Sequence, residues 1–232
     1  METVSQPFVV SQAKADERAT FIRRTYGHLA GAIAAFVVLE YFLIDSPLAI
    51  AMLNFISAFS YAWLLILGAF ILIGWLARGF AARSTSKRMQ YLGLGLYVVA
   101  EAIIFLPLLY MAYYYSSPDV LPNAAILTGM LFLGLTWVAF TTRKDFSFLR
   151  GILAVAGFVA LGLIVASVLF GFTLGLLFSV VMVVVACIAI LYDTSKIIHD
   201  FHTDQYVAAS LELFASVALL FWYVLRIFMS RD

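Results

Sequence analysis

The chain has 232 residues, 65% of them hydrophobic and only 12% charged, with a mean hydropathy of +1.05 and a formal net charge of +1. These fractions lie far from those of a soluble domain and mark an integral membrane protein. So small a charge argues against nucleic-acid binding, and the one cysteine, Cys187 in an apolar run, leaves no disulfide framework and no thiolate metal site.

In chain order, residues 1–26 are polar and mixed in charge, with no apolar stretch ending at a small-residue cleavage site. No cleaved signal peptide is expected, and the first span acts as its own insertion signal. The segment reads as a cytoplasmic tail, and residues 27–232 as one membrane domain. A bilayer core about 30 Å thick needs about 20 apolar residues in a helix. Seven runs qualify, at 27–44, 52–77, 90–115, 123–142, 150–169, 172–195 and 207–228. The breaks between them, among them "DSP" at 45–47 and "SSPDVLPN" at 116–123, carry turn chemistry and are too short for a second domain. Backbone groups in lipid must be satisfied within the segment, and the runs lack strand alternation. An all-α, seven-helix bundle follows.

Lys and Arg fall on one set of loops: Lys14, Arg18, Arg23 and Arg24 before the first span, Arg78, Arg83, Lys87 and Arg88 after the second, Arg143, Lys144 and Arg150 after the fourth, Lys196 after the sixth. The opposite loops carry Asp45 and Asp119 but neither Lys nor Arg. This asymmetry places the N-terminus in the cytoplasm and Arg231 and Asp232 outside.

Small residues are expected to mediate helix packing, with Gly27, Gly31 and Ala35 spaced by four in the first span and Gly171 and Gly175 opening the sixth. In the seventh span Ala208, Glu212, Ser216, Leu219, Tyr223 and Arg226 form one stripe. That stripe turns this helix toward the bundle interior and sets Glu212 near the level of Asp193. Arg226 reads as an interfacial anchor, and "YMAYYY" at 110–115 as part of an aromatic belt.

Asp193 stands at the inner end of the sixth span, where an isolated carboxylate is expensive. Asp193, Lys196 and Asp200 fall within about 60° on one helical face. The set is either a salt-bridged helix end or part of an ion path or pH switch. Glu101 is the deepest acid, six residues before Pro107, whose missing donor frees the carbonyl of Ile103. It either lines a cavity or is a protonated acid hydrogen-bonded inside the bundle. Glu40 lies close enough to the outer boundary to be solvated. His199, Asp200, His202 and Asp204 suggest a metal only weakly, a loop of this composition at a membrane surface being an ordinary solvated one. No cofactor is expected. Enzyme readings lack parts, since there is no zinc-protease or nucleophile-turn motif, and Tyr192-Asp193 has no second aspartate because "GLGL" at 93–96 ends in Leu96.

The segments "TTRKDFSFLRG" (141–151), "ILYDTSKIIHD" (190–200) and "LRIF" (225–228), in this order and spacing, resemble the Bax inhibitor family in its bacterial YccA-like branch. The resemblance implies a bundle with the last helix central, set in the inner membrane. In some members it implies a pH-sensitive calcium leak, gated by an aspartate of the sixth helix, one of the seventh and an arginine at the inner end of the second. Carried over, Asp193 matches the first and Arg78 the arginine. The second aspartate is absent: its position is Ser216, with Glu212 one turn nearer the cytoplasm. Glu101 has no counterpart. For the YccA-like branch the resemblance implies a substrate or modulator of the membrane AAA protease FtsH, engaged through the tail at 1–26. The expectation is therefore a proton-sensitive leak for calcium or another cation, with a non-conducting protease modulator as the rival. Asp193 and Glu212 should share a proton, because two carboxylates in a dry site cannot both ionise cheaply, and Ser216→Ala should matter little.

Overall fold

The computed structural model describes residues 9–59, 61–82, 86–142 and 144–231. The first eight residues of the expected tail, together with Arg83, Arg143 and Asp232, lie outside that set. Among the described residues the elements are all helical: a 3-10 turn (Val10–Gln12), then α1 (Ala15–Leu43), α2 (Pro47–Ala58), α3 (Ala62–Ala81), α4 (Lys87–Tyr115), α5 (Val120–Thr142), α6 (Leu149–Phe170), α7 (Gly175–His199) and α8 (Tyr206–Met229). Seven of these, all but α2, are long and apolar enough to cross a membrane. The all-α, seven-span class read from the sequence is the observed one.

Two boundaries differ from expectation. The span expected at 52–77 is broken, because Phe59 leaves the helix in an extended conformation and the Ser57 hydroxyl turns back onto the Asn54 carbonyl at 3.0 Å. The spanning helix α3 then starts at Ala62 and runs on to Ala81, which carries Arg78 into its last turn. At the other end, α1 begins at Ala15, inside the expected tail, with Asp16 and Glu17 in its first turn where acids favour a helix start. Ahead of it, Val10 is fully buried and its N–H donates to the Phe201 carbonyl at 2.9 Å, so residues 9–13 form a strap across the loop after α7.

The helix α8 is central, packed against α1, α3, α4, α5 and α7. Leu211, Leu213, Phe214, Leu220 and Leu225 on α8 are almost completely buried. Only α4 matches it in burial, and Phe105 of α4 stacks on Phe221 of α8 at 5.9 Å. By contrast α6 packs mainly on α7 and turns the rest of its apolar surface outward, with Phe158 and Phe170 each 79% exposed.

Helix approach uses a different glycine from those expected. Gly27, Gly31 and Ala35 sit on the exposed side of α1, whose packed face is Phe21, Thr25, Leu29, Ala32 and Phe36. The close contact is Gly93 of α4, where an added Cβ would lie 2.5 Å from the Ala77 carbonyl oxygen of α3. Gly171 and Gly175 do not pack; their φ angles of 71° and 63° make the turn between α6 and α7. Glu40 also departs from expectation, being buried on the packed side of α1 with no hydrogen-bond partner among the described residues for either carboxyl oxygen.

Candidate functional site

Near their basic ends α3, α4, α7 and α8 bring together most of the residues singled out from the sequence. Asp193, in the second-last turn of α7, faces α8 and is only 8% exposed. The Ser216 hydroxyl of α8, itself buried, donates to Asp193 Oδ2. One turn earlier on α8, Glu212 takes a different partner: Arg78 Nε of α3 donates to Glu212 Oε2 at 3.4 Å. That length, with the Arg78 side chain 44% exposed, describes a loose, partly solvated pair. The guanidinium also lies 5.2 Å from the centre of the Tyr97 ring of α4, and Glu101 follows one turn beyond Tyr97, 4% exposed. The charged side chains close enough to act on the Asp193 carboxyl are Glu212, Lys196 and Arg78.

This differs from the expected carboxylate pair. No hydrogen bond joins Asp193 to Glu212; each acid has its own donor, serine for one and arginine for the other. Ser216, expected to be dispensable, is the group in direct contact with Asp193. The salt-bridged helix end also fails to form, since the Lys196 ammonium lies 5.5 Å from the Phe201 ring centre and 6.0 Å from that of Tyr192. Asp200 caps α7 through its own N–H, which donates to the Lys196 carbonyl at 2.8 Å. His199 and His202 are occupied locally, the first against the Ser195 carbonyl at 2.9 Å and the second against the Gln205 side chain at 3.3 Å.

A cavity of about 830 Å³ leads to this cluster. Arg78, Tyr97, Glu101 and Ser216 line its inner end, Trp63, Phe105, Pro107 and Trp222 its apolar middle, and Thr173, Arg226 and Ser230 its far end. Glu101 and Pro107 both lie in the lining of this cavity. Asp193 does not line the cavity but stands directly behind Ser216. Tyr97 was missed by sequence reasoning, although its position four residues before Glu101 puts both on one face of α4.

Two of the three sequence segments that carried the family resemblance meet in space: the Phe146 N–H, from 141–151, donates to Ser195 Oγ, from 190–200, at 3.0 Å. A family model described as "Inhibitor of apoptosis-promoting Bax1" matches residues 18–232. Among relatives, the Modulator of FtsH protease YccA of Escherichia coli is 37% identical over 117 residues, covering 49% of this chain and 53% of that protein. The Golgi anti-apoptotic protein of vaccinia virus is 34% identical over 113 residues, 47% of this chain and 46% of that one. Protein LIFEGUARD 4 of Arabidopsis thaliana is 29% identical over 151 residues, 62% and 59% respectively. The chain spans about half the length of the bacterial relatives it matches. With the family pattern running through all seven spans, the chain belongs to the Bax inhibitor family.

Proposed function

We propose that this protein is a proton-sensitive cation leak, with the cavity as its outer vestibule and the Asp193–Ser216 and Arg78–Glu212 contacts as its inner closure. The observation that carries this reading is a wide, partly polar cavity that ends where two buried or half-buried acids, a serine and an arginine meet. Acids inside a membrane bundle are costly enough that their presence beside a cavity points to ion or proton traffic. With Asp193 protonated, Arg78 and Glu212 satisfy one another, and Lys196, the other charged side chain within reach of Asp193, lies against the Tyr192 and Phe201 rings. Loss of the Asp193 proton adds a second anion beside Glu212 in a poorly solvated place, and hydration or a cation relieves the repulsion. Flux should therefore rise with pH. Calcium is the permeant ion we favour, because carboxylates and carbonyls are hard-cation ligands. The test is ion flux in liposomes holding only this protein, measured from acid to alkaline pH; no flux at any pH removes the reading.

A second reading is supported by the similarity to the Escherichia coli modulator of FtsH protease. In it the protein conducts nothing and meets a membrane AAA protease through residues 1–26. An ATP-driven protease starts on an accessible, unpacked segment. Residues 9–13 are strapped to the bundle and 15–26 are helical, so engagement from this end requires either a start before Val9 or release of the strap. The protein would then sit in the inner membrane with its N-terminus in the cytoplasm.

A further inference from the structure

Side chains of α1, α4 and α8 form a second cluster at the same basic end of the bundle, and none of them lines the cavity or touches the Arg78–Glu212 pair. His28 Nδ1 lies 2.7 Å from the Arg24 carbonyl, which only accepts, so this nitrogen carries the proton. The Tyr91 hydroxyl then donates to Nε2 at 2.8 Å. The imidazole is thereby fixed between two rings, 5.5 Å from Tyr91 and 5.1 Å from Tyr206. Onto that Tyr206 ring two cations converge, Lys87 at 4.2 Å and Arg24 at 5.4 Å from its centre. Their separation is therefore on the order of the ~10 Å Debye length or less, and they repel.

Among the described residues no ion pair neutralises them. The acid in contact with the cluster, Asp204, offers Lys87 its backbone carbonyl. The first turn of α8 begins at Tyr206 with no side chain capping it, which leaves backbone donors and the positive end of the helix dipole at the same place. Lys87 and Tyr206 are the first residues of α4 and α8, so the cluster lies at the membrane boundary rather than in the hydrocarbon. Two unpaired cations, one of them a planar fork, and an uncapped helix start around a rigid aromatic floor suit a tetrahedral oxyanion.

We infer that Arg24, Lys87 and the start of α8, held in place by His28, Tyr91 and Tyr206, form a binding site for a phosphate group, carried either by an anionic phospholipid headgroup or by a soluble phosphate compound. The inference is independent of whether the protein conducts ions. Because an acyl chain gains nothing by exchanging bilayer for protein, selectivity in the lipid case has to come from the headgroup.

The purified full chain, exposed to equimolar phosphatidylglycerol and phosphatidylcholine in detergent, is examined by native mass spectrometry for retained lipid. Its melting temperature is followed in parallel with added inorganic phosphate against chloride of equal ionic strength. Phosphatidylglycerol should be retained over phosphatidylcholine, and retention should fall about fivefold for Arg24→Gln or Lys87→Gln and about thirtyfold for both. Arg150→Gln, at the same end on α6, should leave it unchanged. The joint variant Arg24→Lys with Lys87→Arg, which keeps both charges, should hold most of the binding and guards against loss through misfolding. Stabilisation by inorganic phosphate without lipid preference, lost in the double Gln variant, assigns the soluble source. Equal retention of the two lipids with no phosphate effect, or a preference that survives in a folded double Gln variant, overturns the site.

Discussion

Asp193 and Ser216 show how one hydrogen bond redistributes roles among residues that look equivalent in a sequence. Both Glu212 and Ser216 lie on the α8 stripe, one turn apart, and the acid is the more conspicuous partner for Asp193. The structure joins Asp193 to the serine and leaves Glu212 to Arg78. Two predictions follow from the division. Asp193→Asn keeps the shape and an oxygen for the Ser216 hydroxyl while removing the titratable group, so folding should survive and the pH dependence of flux should vanish. A flux that still varies with pH in the Asn variant would exclude Asp193 as the sensor. Ser216→Ala removes a donor from a buried acid, a loss of about 1.5–3 kcal/mol if the acid is charged. A closure poised near balance should then respond by about tenfold or more in flux, contrary to what the sequence alone suggested. Flux unchanged in Ser216→Ala would mean that the hydrogen bond takes no part in closure.

At the scale of elements, the approach of α3 to α4 depends on a position without a side chain. Gly93→Ala would drive a Cβ into the Ala77 carbonyl and the Ala81 amide, both main-chain atoms that cannot rotate away. Overpacking of this kind costs about 1–3 kcal/mol, so the melting temperature in detergent should fall, whereas Gly95→Ala, with open space around it, should be neutral. The strap has its own test. Val10→Asp puts a charge into a fully buried site and should release residues 9–13, speeding degradation in cells that contain the membrane protease; unchanged turnover would separate the strap from that process. Periodicity revealed the long spans because each needs an unbroken apolar run, and the stripe on α8 turned that helix toward the interior, its central place being what the family resemblance implied. It did not reveal which small residues touch, since Gly27, Gly31 and Gly93 look alike until the neighbouring helix is in place. Nor did it reveal the break after Ala58, where Phe59 leaves the helix within a stretch that still reads as part of one apolar run. The buried position of Glu40 was hidden for a related reason: distance along the chain from a boundary says nothing about which side of α1 faces α4 and α8.

For the whole molecule the open question is which side of the membrane the basic end occupies, and the added helix α2 does not disturb the answer. Its 12 residues make a rod about 18 Å long, well short of a hydrocarbon core about 30 Å thick, so it cannot cross and the number of spans stays odd. Val9 and Arg231 then lie on opposite sides. Among the described residues the lysines and arginines at the connections between spans, Arg78, Lys87, Arg88, Lys144, Arg150 and Lys196, fall at the end that also holds the strap and the Asp193–Ser216 contact, while Asp45 and Asp119 mark the other end. Loops this short are governed by the positive-inside rule, which directs the basic end to the cytoplasm. A cytoplasm-dependent reporter fused after Arg231 should be silent and one requiring export should be active, with the pattern reversed for fusions placed after Phe201. If the fusion after Arg231 is active only in the cytoplasm, either a span is miscounted or the bundle is inverted, and the fusion after Phe201 tells which. An inverted bundle would present the closure to the outside and withdraw residues 9–26 from any cytoplasmic protease, ending the second functional reading.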